Sequence, residues 1–500
     1  MADDSTSAMA RTTVNGALYL GVSQVVKLVL TTLSIVVISR LLTPDAYGVI
    51  AMVAPVMAFI VMFQDLGLSA ATIQRKEIDH SLVNSLFWLN VLASMALATM
   101  LVAVAPLVGW FYGDARAGWV TAATSLTLLV TGSALQHSAT LNRDLRFAAL
   151  SAADLINASV TFVVSALAAW LMRSFWALYL GMLAGAVAQT ITLWMLAPWR
   201  PNWSMGLRHA RQVAAFGSHV TGFNLVNYVV RNADTLLIAR TSGAGVLGLY
   251  DRSYKLMMMP VQSINVPLSR LLLPVMSRLQ DDPERYRRTF AFTIRLLMMA
   301  IAPGVAIGVV LSDRVIPFLL GAQWSGAAPI FFWLGLTGLV QPIANMTGVL
   351  FVSSGRTALQ LRWGLFSAVV TLIGFVVALP WGAAAVAASL FFTMLGRIPI
   401  LFWLCATPNG VRQRDLYGAQ IEPLVGAGLG AAAAWAMAPT FETGPLLCLV
   451  VPVAYLTTGV MTLATREGRA TLIRADGIAR GLLVGLSRRI ASGVRRLRPS

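Results

Sequence analysis

The sequence predicts an all-α polytopic membrane protein with about fourteen transmembrane helices. Of its 500 residues, 57% are hydrophobic and 11% are charged, whereas a soluble domain carries about 25% charged residues. Apolar runs of roughly 20 residues, long enough to cross ~30 Å of hydrocarbon, recur from Val14 to Ala464 with short polar breaks between them. A chain that crosses a bilayer this often must satisfy its backbone hydrogen bonds inside helices.

The apolar runs place the helices in order along the chain. The predicted spans are residues 14–39, 46–66, 82–111, 117–140, 149–172, 175–197, 213–239, 246–276, 289–311, 327–352, 358–378, 382–404, 416–438 and 444–465. The polar, acidic segment 1–13 lacks the basic region and cleavage site of a removable signal peptide, so we expect the first span to be retained. An even number of spans puts both termini on one side of the membrane.

The positions of lysine and arginine indicate which side that is. Loops on the side of the termini carry most of them, including nine arginines after residue 465. The other side carries Arg40, Arg116, Arg173, Arg240 and Arg314. Because positive residues are retained in the cytoplasm, both termini are predicted to be cytoplasmic. The net charge of +17 therefore lies along the membrane and does not indicate a nucleic-acid partner.

A repeat at an offset of 200 residues predicts two pseudo-symmetric six-helix lobes around a central cavity. The segment RLLTPDAYG at 40–48 corresponds to RTSGAGVLG at 240–248, each following one span and opening the next. The predicted organisation is a cytoplasmic N-terminus (1–13), an N-lobe (14–198), a cytoplasmic linker (199–212), a C-lobe (213–405), two appended helices (416–465) and a basic amphipathic tail (466–500). We expect the tail to lie on the anionic inner leaflet.

The same offset pairs polar residues inside the first and seventh spans. Steps of three, four and three keep each set on one helix face. The sets are Gln24, Lys27, Thr31 and Ser34, and Asn224, Asn227, Arg231 and Asp234. A cation at the bilayer centre costs ~2.5–3.5 kcal/mol and usually faces protein or water, so Lys27 and Arg231 are candidate ligands for an anion. The alternative for Arg231 is an ion pair with Asp234 one turn on.

Further candidates lie in other spans. Arg252 and Lys255 in the eighth span precede a run of three methionines and either line the same cavity or snorkel to headgroups. The candidates for a proton or cation site are Asp234, Asp154, Asn157 and Glu422. Gln136 and His137 in the fourth span either line the cavity or form a hydrogen bond between helices.

Several functions are disfavoured by missing motifs. No glycine-rich loop with Lys-Ser/Thr is present, so the chain is not expected to hydrolyse ATP. The four histidines have no metal-ligand spacing, and the two cysteines fall in apolar stretches where packing is the expected role. No nucleophile or acid pair stands out. We therefore expect no enzymatic activity, metal or cofactor.

Five segments resemble the polysaccharide exporters of the multidrug/oligosaccharidyl-lipid/polysaccharide exporter superfamily, akin to Wzx and WzxC. They are RLLTPDAYGVIAM (40–52), DLGLSAATIQRKEI (65–78), LNRDLRF (141–147), ADTLLIARTSGAGVLGLYDRSYKLMMMPV (233–261) and PVMSRLQDDPERYRRTF (274–290). The resemblance extends over nearly the first 300 residues, and the later helices agree in layout only.

The resemblance implies a V-shaped pair of lobes that alternates between inward- and outward-open states. It implies that undecaprenyl-diphosphate-linked oligosaccharide units are flipped across the bacterial inner membrane for exopolysaccharide or lipopolysaccharide synthesis. Membrane lipids and the polysaccharide polymerase or export machinery are the other implied partners. The cationic cavity of the family is matched here by Lys27, Arg231, Arg252 and Lys255, although Asp234 beside Arg231 departs from a simple anion site.

Three alternatives stay open. An ion-coupled drug or metabolite antiporter of the same superfamily would favour an acidic, aromatic cavity, whereas the polar stripes here are net cationic. A membrane enzyme acting on lipid-linked sugars would need a catalytic outer loop, and the predicted outer loops are short. A scaffold that does not transport would tolerate substitutions in the cavity.

Overall fold

A computed structural model describes residues 23–65, 69, 72–73, 80–203, 232–406, 411–477 and 480. This part of the chain contains helices and turns and no strand, which confirms the predicted fold class. Twelve of its helices are long and apolar enough to cross a membrane. They correspond to twelve of the predicted spans. The segment 213–239 lies largely outside the described residues and 246–276 falls in a helix that is not among the twelve, so the number fourteen is not confirmed.

The first of two compact units is formed by Met1–Arg252 together with Leu319–Ala327 and Phe375–Val386. The helices described in its main segment are α1 (Ser23–Leu41), α2 (Pro44–Gln64), α3 (His80–Tyr112), α4 (Ala115–Gly132), α5 (Leu135–Arg143), α6 (Phe147–Met172), α7 (Trp176–Leu196) and the first part of α8 (Ala233–Arg278).

Helix α2 begins where its sequence provides a cap. The hydroxyl of Thr43 accepts a hydrogen bond from the Ala46 amide, and Pro44 occupies the first turn, where its missing N–H costs nothing. Helix α4 begins in the same way at Asp114, whose carboxylate accepts from the Arg116 amide. These caps fix where the two helices begin.

Helix α8 contains a break at Gly243, where φ is 76° and ψ is −177°. This conformation is open to glycine and strained for residues with a side chain. The break falls between the predicted seventh and eighth spans, so the long α8 comprises the end of one and the whole of the next. Pro260, Pro267 and Pro274 follow inside the helix.

The second unit is formed by Ser253–Phe318, Ala328–Gly374 and Ala387–Ser500. It contains the rest of α8, then α9 (Pro283–Val310), α10 (Ser312–Leu320), α11 (Ala328–Ser353), α12 (Thr357–Ala378), α13 (Ala383–Cys405), α14 (Gln413–Met437), α15 (Thr443–Ala464) and a helix over residues 466–477, which we name the tail helix. Some ends of α10, α12 and α13 fall in the first unit.

One apolar core joins several helices of the second unit. Phe290 and Leu297 of α9, Phe351 of α11 and Phe402 of α13 pack with Leu416 of α14. The first of the two appended helices predicted from the sequence therefore contributes to this core.

The outward faces of the helices are apolar. Leu107, Trp110, Leu171 and Leu456 are among many large hydrophobic side chains exposed on spans. A soluble protein exposes such side chains in small patches at most, whereas a bilayer covers them. The chain is a multi-pass membrane protein.

Candidate functional site

Three helices of the first unit bring four polar side chains into one network. Nζ of Lys27 on α1 lies 4.0 Å from Oδ2 of Asp154 on α6. Nε2 of Gln189 on α7 donates to the other Asp154 oxygen at 2.9 Å, and its Oε1 accepts from Nδ2 of Asn157 at 2.9 Å. Asp154 is thus held by one cation and one neutral donor.

Small residues set the distance between α6 and α7. A Cβ atom at Gly181 would lie 1.8 Å from Oγ of Ser165, and one at Gly185 would lie 2.0 Å from Oγ1 of Thr161. Glycine is needed at both positions because the backbones of α6 and α7 approach each other closely there. Small residues allow such close helix packing in membranes. Gln189 follows Gly185 by one turn and therefore faces α6.

The network lies inside the membrane and is accessible. Asp154 follows the start of α6 by seven residues and Gln189 precedes the end of α7 by seven, which is about 10 Å at 1.5 Å per residue. The side chains of Lys27 and Asp154 are 46% and 53% exposed. Since a charge facing acyl chains is costly, this surface is suited to water or a polar ligand. The network brings together one predicted anion ligand, Lys27, and two predicted candidates for a proton or cation site, Asp154 and Asn157.

Gln189 was not singled out from the sequence. The signal that could have found it is the four-residue spacing of Gly181, Gly185 and Gln189, which places a polar side chain on a face otherwise made for close helix packing. The acidic partner of Lys27 lies on another helix, so the spacing of residues along α1 could not indicate it.

Asp234 is buried and forms hydrogen bonds. Its Oδ2 accepts from the Tyr250 hydroxyl at 2.7 Å, and its Oδ1 accepts from the Thr235 amide at 2.7 Å. Its predicted partner Arg231 lies outside the described residues, as do Asn224 and Asn227. The roles predicted for these four residues remain predictions.

Arg252 packs on an aromatic ring. Its guanidinium carbon lies 3.7 Å from the centroid of the Tyr47 ring, and its Nε lies 3.8 Å from Oδ2 of Asp251. A guanidinium over the face of an aromatic ring is stabilised by cation–π attraction. The Arg252 guanidinium is therefore held in a defined position against the first turn of α2. Gln24 on α1 and Lys255 on α8 have exposed side chains.

Gln136 and His137 are both buried. Oε1 of Gln136 accepts from Oγ1 of Thr72 at 2.9 Å, whereas the ring of His137 stacks on Trp194 at 4.3 Å between centroids. In the described part of the chain neither ring nitrogen of His137 has a hydrogen-bond partner. The histidine ring contacts α7 by stacking on Trp194, and the hydrogen bond predicted for it stays a prediction.

The two repeat segments contact each other at a pair of glycines. A Cβ atom at Gly48 would lie 1.7 Å from the carbonyl oxygen of Ala244, and one at Gly248 would lie 1.8 Å from that of Pro44. Gly48 and Gly248 are 200 positions apart, and so are Pro44 and Ala244. The repeat therefore relates one contact to the other. The repeat found in the sequence is therefore a local pseudo-twofold crossing of α2 and α8.

The segment Leu319–Ala327 closes over the same end of the first unit. Trp324 is fully buried, its indole N–H donates to the Ser39 carbonyl at 2.8 Å, and its ring meets Tyr47 edge-on at 5.3 Å. Gln323 donates to the same Ser39 carbonyl at 3.0 Å. The C-terminal end of α1 is thus held by a segment that lies far from it in sequence.

A many-spanning helical fold with an accessible polar network inside the membrane is the architecture of a carrier. Residues 37–329 match the model of a family described as polysaccharide biosynthesis protein, and the chain belongs to this family. The family match covers all five segments whose resemblance was noted in the sequence. The predicted resemblance to polysaccharide exporters is confirmed by this family match and by the relatives that follow.

The curated relatives are named for polysaccharide synthesis. The chain is 24% identical to the lipopolysaccharide biosynthesis protein WzxC of Escherichia coli (strain K12) over 360 residues, which are 71% of this chain and 72% of that protein. It is 26% identical to the teichuronic acid biosynthesis protein TuaB of Bacillus subtilis (strain 168) over 355 residues, 68% of this chain and 71% of that protein. The succinoglycan biosynthesis transport protein ExoT of Rhizobium meliloti (strain 1021) is 23% identical over 337 residues, 67% of this chain and 68% of that protein.

Two solved structures share the fold. The lipid II flippase MurJ in an inward closed conformation superposes with a TM-score of 0.72 at 12% identity, covering 93% of this chain and all of that one. An inward-facing multidrug transporter of the MATE family superposes with a TM-score of 0.59 at 12% identity, covering 81% of this chain and 99% of that one.

Proposed function

We propose that this protein flips lipid-linked oligosaccharides across the bacterial inner membrane for assembly into an exopolysaccharide or lipopolysaccharide. The observation that carries the proposal is the accessible network of Lys27, Asp154, Gln189 and Asn157 inside the membrane. The names of the relatives, lipopolysaccharide, teichuronic acid and succinoglycan proteins, support this class of cargo. The fold shared with a lipid II flippase is consistent with it.

The cargo explains why a cation is needed at this depth. A diphosphate cannot enter hydrocarbon without a compensating charge, while the prenyl tail can remain in lipid. Lys27 supplies a mobile point charge with three donors. In this proposal Arg231, Arg252 and Lys255 extend the cationic path, and Gln24, Asn224 and Asn227 contact the saccharide.

Asp154 gives the same network a means of ion coupling. When a diphosphate attracts Lys27, Asp154 keeps the Gln189 donor and loses its cation. A carboxylate that has lost its counter-charge attracts another positive ion. Cargo release would return Lys27 to Asp154 and expel the ion. Asp234 is the second candidate for coupling.

The orientation and organisation of the chain are part of the proposal. Both termini are cytoplasmic, as the positive-inside rule indicates. The transport lobes are residues 14–198 and 213–405, followed by two further helices in 416–465. The protein acts as a carrier without enzymatic activity, and polymerase or export machinery takes up the cargo on the other side.

An antiporter of drugs or metabolites is the second candidate. It is favoured by one observation: Asp154, Gln189 and Asn157 together present the carboxylate and amide oxygens that can bind a small cation. An antiporter would exchange its substrate with the ion and ignore lipid-linked saccharide. The MATE-like fold is compatible with either function.

The test is flipping of labelled undecaprenyl-diphosphate oligosaccharide in proteoliposomes. Lys27→Gln removes a charge-assisted hydrogen bond worth ~1.5–3 kcal/mol, so the initial rate should fall about 10- to 150-fold. Lys27→Arg, which keeps the charge, is the matched control and should keep most of the rate. Asp154→Asn should remove the response to an imposed proton gradient.

The cellular counterpart is the orientation of lipid-linked units in a strain that lacks the protein. Units should accumulate on the cytoplasmic face, and wild type should restore export where Lys27→Ala/Arg231→Ala does not. Normal flipping by Lys27→Gln, or normal export by Lys27→Ala/Arg231→Ala, would refute the assignment of these residues to the substrate site. A wild-type protein that exchanges a drug for protons and moves no saccharide would establish the antiporter.

A further inference from the structure

The tail helix turns away from the last span at a defined point. Helix α15 ends at Ala464, and Thr465 is extended with φ −104° and ψ 154°. The Thr465 hydroxyl accepts from the Gly468 amide at 3.0 Å and caps the new helix. A Cβ atom at Gly468 would lie 1.8 Å from the Thr462 carbonyl oxygen. The helix over residues 466–477 therefore packs closely on the end of the membrane span.

One face of the tail helix is bound to a buried arginine. Arg295 of α9 is 3% exposed, and its Nη1 and Nη2 donate to Thr471 Oγ1 and Glu467 Oε2, both at 3.0 Å. Its Nε lies 2.9 Å from Oε2 of Glu422 on α14. Removing one partner of a buried guanidinium strongly destabilises the fold, because the remaining charge is less well compensated. The tail helix, α9 and α14 are thus joined at one residue.

A second ion pair lies along the same pair of helices. Nε of Arg287 on α9 is 3.9 Å from Oδ2 of Asp415 on α14. The side chains of Arg287 and Asp415 are 28% and 16% exposed, respectively. The ion pairs of Arg295 and Arg287 therefore lie along the same interface between α9 and α14. A displacement of the tail helix would act on both helices.

The opposite face of the tail helix is basic and apolar. Arg466, Arg469 and Arg474 are exposed there, and Ile473 between them is 72% exposed. At 100° per residue these positions oppose Gly468 and Thr471. Because the helix starts directly after a membrane span, this face lies at the level of the lipid headgroups.

We propose that the tail helix is a docking surface for the anionic lipid leaflet on the side of the termini, and that Arg295 transmits this docking to α9 and α14. Arginines attract anionic headgroups, and an exposed isoleucine inserts at the acyl boundary. The conformational stability of the second unit then depends on the charge of the leaflet. The inference concerns lipid composition and does not depend on which cargo is carried.

The experiment is hydrogen–deuterium exchange of the full-length protein in nanodiscs of phosphatidylcholine, with or without one third phosphatidylglycerol. An arginine near an anionic surface contributes roughly a fivefold factor, so three should raise the protection of residues 466–477 by up to about 100-fold. Protection of α14 around Glu422 should rise with it. High salt should reduce both effects.

Two variants separate docking from transmission. Arg466→Gln/Arg469→Gln/Arg474→Gln replaces three exposed arginines, of which Arg469 also donates to the Thr465 carbonyl at 3.4 Å, and should abolish both lipid responses. Glu467→Gln/Thr471→Val should keep the response of the tail helix and lose that of α14. Asp476→Asn is the matched control because it also replaces a carboxylate by an amide on this helix, and the ion pair of Asp476 is with Arg480 on the exposed side.

Equal protection of the wild-type tail helix in both lipid mixtures would overturn the docking surface and leave a soluble partner as the occupant of this face. A lipid response of α14 that survives Glu467→Gln/Thr471→Val would overturn the role of Arg295. The triple arginine variant keeps the test decisive if the double variant fails to fold, since its side chains lie outside the packed face.

Discussion

Replacing Gly48 by alanine should destabilise the first unit, although alanine is the better helix former. In an open helix the change is favourable by up to ~1 kcal/mol. Here the new Cβ atom would lie 1.7 Å from the Ala244 carbonyl oxygen, which belongs to backbone and cannot rotate away. Ordinary contact begins near 3.4 Å, so α2 and α8 must separate by roughly the difference. Overpacking of this kind costs ~1–3 kcal/mol.

The assay is thermal unfolding of the purified protein in detergent, followed by size-exclusion chromatography. Gly48→Ala and Gly248→Ala should each lower the midpoint by a few degrees. The double variant should lower it by less than the sum, because helices already separated by one methyl group accommodate the second at little extra cost. That sub-additivity is the signature of the shared crossing.

Gly245→Ala is the matched control. Gly245 lies on the same helix as Gly248, three residues earlier, and a Cβ atom there would meet nothing within 4 Å. This variant should be as stable as wild type or slightly more so. Equal losses at Gly245 and Gly248, or full additivity of Gly48→Ala with Gly248→Ala, would refute the symmetric crossing.

Trp324→Phe removes the indole donor to the Ser39 carbonyl and should cost ~0.5–1.5 kcal/mol, while Trp324→Ala also opens a cavity and should cost ~3–5 kcal/mol. Both are measured by the same unfolding assay, and a Trp324→Phe variant as stable as wild type would contradict the hydrogen bond to Ser39. The hydrogen bond from Arg116 lowers the pKa of Asp114. A lowered carboxyl pKa means that the stabilisation is present above the unfolded pKa and is lost as the pH falls through the folded one. The acid-side decline of the unfolding midpoint should therefore be shallower in Asp114→Asn, and an unchanged profile would contradict this linkage.

The span ends were predictable because the bilayer imposes one length scale on every helix. Predicted spans 149–172 and 358–378 became Phe147–Met172 and Thr357–Ala378. The repeat was also visible, since RLLTPDAYG and RTSGAGVLG share spacing. That the two segments cross each other was not predictable, because an offset between segments carries no information about contact.

The partners of the charged residues were harder to predict. Lys27 on α1 and Asp154 on α6 are far apart in sequence, and only the packing of their helices brings them together. Gly181 and Gly185 let α7 pack closely on α6, which brings Gln189 to Asp154. Arg295 was not singled out, although an arginine inside a predicted apolar span is a signal in itself. Hydropathy places such residues at a depth in the membrane but does not indicate the helix face or the neighbour that they meet.

Exposure separates the two kinds of ion pair in this protein. Arg295 and Glu422 are 3% and 14% exposed, so opening this pair would leave the Glu422 carboxylate without this counter-charge in a medium of low dielectric constant. Lys27 and Asp154 are about half exposed, their separation is the longer 4.0 Å, and water screens each charge when the pair opens. A lysine that exchanges the carboxylate of Asp154 for the diphosphate of the cargo needs this partly exposed environment. The buried arginine is suited to holding helices together, and the exposed lysine is suited to the exchange that we propose.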